Sequence, residues 1–190
     1  MKNLKYKILL GSQSPRRKEL LEKMDIKFRI VKINFEEKYP KNIPIAEIPE
    51  FLALQKSKAY SKIQPEELLI TADTLVILEK EILEKPRNKT QARKMLQKLS
   101  GKKHKVITGV CLRTKNNSCS FSDISKVYFK KLSPEEINYY VDTYKPMDKA
   151  GAYGIQEWIG LIGIKKIKGS YFNIMGFPTE KFMTYVRQCK

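Results

Sequence analysis

The chain has 190 residues, enough for one large domain or two closely joined lobes, and 42% hydrophobic content with 8 Phe, 10 Tyr and 1 Trp excludes a disordered polymer. No apolar run is long enough to span a bilayer, and Met1-Lys2-Asn3-Leu4-Lys5 lacks the form of a signal peptide, so a cytoplasmic chain without a membrane partner is expected. The formal charge of +18 points to polyanions, but the lysines are spread along the whole chain with no nucleic-acid module, which favours a solvated basic surface over a nucleic-acid face.

Strand and helix signals alternate, predicting a mixed α/β architecture. Tyr6–Leu10 reads as an apolar strand and Arg16–Lys23 as a helix, with Ser14 as its N-cap and Pro15 at its start. Phe28–Ile33 reads as a strand, a loop broken by Pro40, Pro44 and Pro49 follows, and Glu50–Ile63 reads as a helix. Leu68–Thr71 and Leu75–Leu78 are two apolar runs, with Ala72-Asp73-Thr74 forming a polar break between them. A hairpin over Leu75–Leu83 is expected, ended by Lys85-Pro86.

Ala92, Met95, Leu96 and Leu99 recur at helical spacing and Gly101 stops that helix. Lys105–Leu112 and Lys126–Phe129 read as strands, and Ser133-Pro134-Glu135-Glu136 opens a helix to Thr143 with a capping box. Glycines punctuate Ala150–Gly176, and Pro178–Arg187 reads as a final helix. Without a linker or repeat, a single domain over residues 1–190 is expected.

The segment Gly11–Arg17 joins hydroxyls and two arginines at a helix start, where unpaired N–H groups attract phosphate. It lacks the spaced glycines and Gly-Lys-Ser/Thr ending of a P-loop. Asp73 at a strand end suits metal binding or proton acceptance, or forms an ordinary turn. Glu36 and Glu37 lie in a polar loop, Lys56 and Lys58 share a helix, and Gln156 carries an amide able to read a base edge. Tyr153, Trp158 and Tyr171 are assigned to the core and His104 to a structural place. Cys111, Cys119 and Cys189 have neither metal-like nor paired spacing.

Five ordered motifs resemble the Maf family of nucleoside triphosphate pyrophosphatases: LLGSQSPRRKELL at 9–21, ITADTLVILEKEILEKP at 70–86, KLSGKKHKVITGV at 98–110, PMDKAGAYGIQEWIG at 146–160 and GSYFNIMGFP at 169–178. The resemblance implies an elongated mixed sheet flanked by helices, with two lobes around a cleft. It implies hydrolysis of a nucleoside triphosphate between its α and β phosphates with a divalent metal, Mg²⁺ or Mn²⁺, and a homodimer as the family's tendency. Asp73 is then the proton acceptor, and Ser12, Ser14, Arg16, Arg17, Lys56 and Lys85 handle phosphate. Asp73 and Glu37 supply metal oxygens.

Ala72-Asp73-Thr74 paired with Gly154-Ile155-Gln156 resembles the subgroup acting on dTTP and UTP, with Arg16, Thr74 and Gln156 setting base choice. The acidic motif reads Asn34-Phe35-Glu36-Glu37, leaving Glu36 and Glu37 as alternatives with Glu37 preferred. Spacing from Ala53 favours Lys56 over Lys58. The rival readings are a pyrophosphatase for deaminated purine triphosphates such as dITP or XTP, and a regulator that binds nucleotide or nucleic acid without turnover.

Overall fold

The computed structural model describes residues 4–188. In chain order its elements are β1 (Lys7–Leu10), α1 (Pro15–Lys23), β2 (Phe28–Ile30), α2 (Ile48–Lys58), β3 (Glu67–Leu78), β4 (Glu81–Leu83), α3 (Lys89–Leu99), β5 (Lys103–Arg113), β6 (Ser118–Phe129), α4 (Pro134–Tyr144), α5 (Trp158–Gly163), β7 (Ile164–Lys168), α6 (Tyr171–Met175) and α7 (Thr179–Gln188), with a short 3₁₀ turn at Ala150–Ala152. The fold is mixed α/β, with seven strands among the described residues forming one mixed sheet flanked by helices. Two compact units divide the chain: the described parts of Met1–Asp73, Thr108–Asp123 and Gly176–Lys190, and then Thr74–Ile107 with Ile124–Met175. Strands β3, β5 and β6 contribute residues to both.

In the first unit the strand order is β2-β1-β3-β5-β6. β1 pairs in parallel with β2 through Ile8↔Phe28 and with β3 through Ile8↔Leu68. Ile8, Leu9 and Leu10 are all buried, as expected of a parallel strand covered on both faces. Gly11, just beyond β1, permits a close approach: a Cβ there would lie 2.6 Å from Ile33 Cδ1 and 2.9 Å from Thr71 Cγ2. α2 lies against β5 for a similar reason, because a Cβ on Gly109 would fall 2.2 Å from Glu50 N.

In the second unit the end of β3 turns back antiparallel onto β4 with Val76↔Leu83, and β7 pairs antiparallel with β6 through Lys126↔Lys168. α3 buries Ala92, Met95, Leu96 and Leu99, the predicted stripe, and Asn88 caps it by accepting the Gln91 N–H at 2.9 Å. The predicted capping box of α4 is present, with Ser133 Oγ accepting from Glu136 N–H and Glu136 Oε2 accepting from Ser133 N–H. Arg93 on α3 donates to Asn138 and Asp142 on α4, and Lys89 also reaches Asp142, locking the two helices together.

Several expectations need correction. β3 runs unbroken through Ala72-Asp73-Thr74, so Asp73 is a half-buried strand residue rather than part of an exposed break. Just before that stretch, the buried Thr71 satisfies its hydroxyl by donating to Ala53 O of α2 at 2.7 Å. β2 stops at Ile30, three residues before the expected end, although Val31 N–H still donates to Leu10 O at 3.0 Å. α2 starts two residues early and ends at Lys58, where Arg113 of β5 donates to the carbonyl oxygens of Ser57 and Tyr60. β6 begins at Ser118, well before Lys126.

Candidate active site

The first unit gathers most of the predicted site residues around Arg17. This side chain is only 9% exposed, on the buried face of α1, where it reaches the middle of β3 at Ala72. Its Nε–H donates to Gly176 O at 2.9 Å, and Nη1 donates to Ser12 Oγ at 3.1 Å and to Ala72 O at 2.8 Å. One guanidinium thus ties the loop after β1, the residue before Asp73 and the approach to α7. Burial lowers the Arg17 pKa to about 10; the Asp73 carboxylate opposes that shift, Arg16 adds to it, and Glu37 also opposes it. Asp73, Arg16 and Glu37 are therefore within electrostatic reach of the same cation.

Ser12 Oγ also accepts the Ser14 N–H at 3.2 Å, so both its lone pairs are occupied and its own O–H is the donor it has left for a ligand. Ser14 holds the N-cap position with extended backbone and Pro15 follows, but its hydroxyl makes no cap hydrogen bond, contrary to expectation. The loop closes on Ser12 instead. Glu36 is ion-paired with Lys38 at 2.8 Å on the exposed loop, and Glu37 lies within electrostatic reach of Arg17. On α2, Lys56 is half-buried and Lys58 exposed.

Thr74, Lys85 and Gln156 belong to the second unit. Gly151 packs on Val76, where a Cβ would come within 2.9 Å of Cγ1, and its N–H donates to Glu84 O at 3.3 Å. The segment leading to Gln156 is thereby fastened to the β3–β4 hairpin that carries Thr74 and Lys85. Lys85 itself is exposed. The pleat sends successive side chains to opposite faces, so Asp73 goes with Thr71 and Thr74 with Val76. Gln156 is half-buried, and its Oε1 is buried with no hydrogen-bond partner among the described residues.

Around that turn lies a polar network that sequence reasoning missed. Tyr140 donates to Glu157 Oε2 and accepts the Gly154 N–H at 3.0 Å, while Lys149 pairs with Glu157 Oε1 at 3.0 Å. Glu157 and Lys149 sit inside a quoted motif, but Tyr140 had only its helical spacing to signal it. The carbonyl oxygens of Ala72 and Gly176 carried no sequence signal at all. Tyr153 is buried as expected; Trp158 is half-buried against Tyr139, and Tyr171 is 38% exposed, so it is not core. His104 is structural, as expected, with Nε2 2.8 Å from the Tyr153 hydroxyl. Cys189 lies outside the described residues.

Among the described residues no group of three or more His, Cys, Asp or Glu side chains could hold a metal ion, and no helix is long and apolar enough to cross a membrane. The family described as Maf-like protein matches residues 7–189. The chain is 53% identical over 186 residues to a dTTP/UTP pyrophosphatase of Phocaeicola vulgatus, covering 97% of this chain and 96% of that one. It is 51% identical over 181 residues to a dTTP/UTP pyrophosphatase of Flavobacterium psychrophilum, covering 95% and 93%. A HAM1 protein from Coxiella burnetii is similar in fold, with a TM-score of 0.56 and 13% identity over 97% of this chain and 100% of that one.

Proposed function

Because the chain belongs to the Maf family, we propose that it is a dTTP/UTP pyrophosphatase, hydrolysing the bond between the α and β phosphates to give the nucleoside monophosphate and pyrophosphate. The observation that carries this reading is the identity with dTTP/UTP pyrophosphatases, sustained over nearly the whole chain. The Arg17 site agrees with it: a buried cation hydrogen-bonded to a serine at the start of a helix has two carboxylates within electrostatic reach. Such a set suits a polyanion whose leaving group gains charge as the bond breaks.

In this reading Asp73 accepts the proton of the attacking water. Its Oδ2 is buried, and the nearby Arg17 keeps a positive charge facing the carboxylate. Ser12 donates its remaining O–H to a phosphate oxygen and Arg16 and Lys56 add positive charge, while the family resemblance assigns Lys85 to phosphate as a point charge. Arg17 itself spends three N–H donors on the protein, so its larger task is to hold Ser12 and β3 in place.

A divalent cation, Mg²⁺ or Mn²⁺, fits the chemistry of the donors present: Asp73 and Glu37 are hard oxygen ligands within electrostatic reach of one guanidinium, and Mg²⁺ is typically held by one or two carboxylates with substrate oxygens and waters. When bound it would neutralise phosphate charge and polarise the reacting centre. The activity is placed in the cytoplasm, where nucleoside triphosphates are used, and homodimerisation enters as the family's tendency, to be read by sedimentation.

A panel of nucleoside triphosphates with Mg²⁺ or Mn²⁺ and identified products tests the reading. Pyrophosphate release fastest from dTTP and UTP is expected. Orthophosphate release would reject the bond assigned, and a preference for dITP or XTP would move the substrate class to deaminated purines. Asp73→Asn should lower kcat by roughly a hundredfold or more with the melting temperature nearly unchanged. Turnover near the wild-type level would remove Asp73 as the proton acceptor.

A further inference from the structure

Resting on the reading of Gln156 as the base-contacting amide, we propose that Tyr140, Glu157 and Lys149 are positioning residues whose buried network fixes the turn around Gln156 and thereby sets the choice of nucleobase. Tyr140 is fully buried on α4, and its hydroxyl works in both directions, donating to Glu157 Oε2 and accepting from Gly154 N–H at 3.0 Å. Both ends of the turn are therefore tied to one phenol, with Gln156 between them. The second carboxylate oxygen of Glu157 takes Lys149 Nζ at 3.0 Å; Lys149 is 8% exposed and also meets Asp148 at 2.6 Å.

Gly154 completes the arrangement, because a Cβ there would sit 2.6 Å from Glu157 Cδ and displace the carboxylate. Burial first, and then the facing Glu157, push the Tyr140 ionisation well above its ordinary value, so the phenol keeps its proton and goes on donating at physiological pH. The clamping of α4 to α3 through Arg93 and Lys89 holds Tyr140 in turn.

The network immobilises the turn but leaves the Gln156 acceptor unused: Oε1 is buried without a donor among the described residues. A buried acceptor in this condition is costly until a ligand supplies an N–H. The imide N–H of thymine or uracil is such a donor, and the Gln156 NH₂ end then meets the neighbouring carbonyl. Cytosine and adenine place a ring acceptor where that N–H would be. A turn free to shift would let the amide adapt to them; a fixed one rejects them.

The test compares wild-type protein with Tyr140→Phe, which keeps the ring and loses the hydroxyl. KM for dTTP should rise about tenfold with kcat within about twofold, the preference for dTTP over dCTP should fall about tenfold, and inhibition by inorganic pyrophosphate should not change. Glu157→Gln, which keeps an acceptor for the phenol, should retain most of the preference, and Glu157→Ala should lose it; this pair carries the comparison if Tyr140→Phe fails to fold. An active wild type whose preference survives Tyr140→Phe and Glu157→Ala overturns the network alone. Equal weakening of dTTP and pyrophosphate also overturns it, by showing a general structural role. A wild type that turns over no pyrimidine triphosphate rejects the pyrophosphatase reading, and the network falls with it.

Discussion

His104 shows how much a single residue's role depends on what surrounds it. It is 1% exposed, stacked on Phe129 with ring centroids 5.6 Å apart, and its Nε2 meets the Tyr153 hydroxyl, whose own ionisation burial pushes up. Burial lowers the His104 pKa from 6.5 to about 4, so the folded protein holds it neutral. Between about pH 6.5 and about pH 4 the unfolded chain binds a proton that the folded chain refuses, and stability falls as pH drops through that window. The shift corresponds to on the order of 3 kcal/mol, all of it lost by about pH 4. Urea unfolding of wild type and His104→Phe at pH 7 and pH 5 checks this: the wild type should lose more stability on acidification than the variant. Equal losses would show that His104 is not the titrating group. The residue's structural place was legible in the sequence because no nucleophile or metal partner accompanied it. The Arg17 staple was not, because two of its acceptors are backbone oxygens at Ala72 and Gly176, which carry no side-chain signature.

At the scale of elements, local signals were reliable wherever local chemistry decided the outcome. The α4 capping box and the α3 apolar stripe are complete within a few residues of sequence, and both are present. β3 was misjudged because the continuity of a strand that pairs with β1 at one end and β4 at the other is a long-range fact, invisible in a stretch that reads apolar, polar, apolar. The end of α2 was misjudged for the same reason, since its capping donor Arg113 lies on β5. Gly109 is the converse case, a glycine whose meaning appears only where two elements meet. A Cβ there would lie 2.2 Å from Glu50 N and 2.3 Å from Pro49 C, so backbone rather than a pliable side chain would have to move. Gly109→Ala should therefore push the start of α2 off β5 and destabilise the protein by about 1–3 kcal/mol, as overpacking does. Because α2 also carries Lys56 and accepts the Thr71 hydroxyl at Ala53 O, KM for dTTP should rise in the same variant. A melting temperature and KM matching wild type would show that α2 accommodates the methyl without moving.

The whole molecule presents a charge problem that no single site resolves. With 38 Lys and Arg against 20 Asp and Glu, the protein attracts any polyanion, and a nucleoside triphosphate is one. Many of these cations lie in exposed ion pairs, such as Lys23 with Glu19 and Lys98 with Glu81, which contribute little to stability. Their collective field still steers association, over distances that salt shortens to about 10 Å at 0.1 M. The Arg17 cation is different: it is buried and pinned by hydrogen bonds to Ser12, Ala72 and Gly176, so salt screens it far less. These two populations predict separate kinetic behaviour. Raising KCl from about 50 mM to about 500 mM should increase KM for dTTP several-fold by weakening capture, while kcat, which the proposed mechanism assigns to the buried groups around Asp73, should change by less than about twofold. The experiment requires a fixed metal concentration, so that chloride competes only with long-range attraction. A KM independent of salt would mean that the net charge has no part in capture and that contacts at the site alone govern it. A kcat falling in step with rising KM would mean that the exposed lysines reach the transition state, which would move the seat of catalysis away from Arg17 and Asp73.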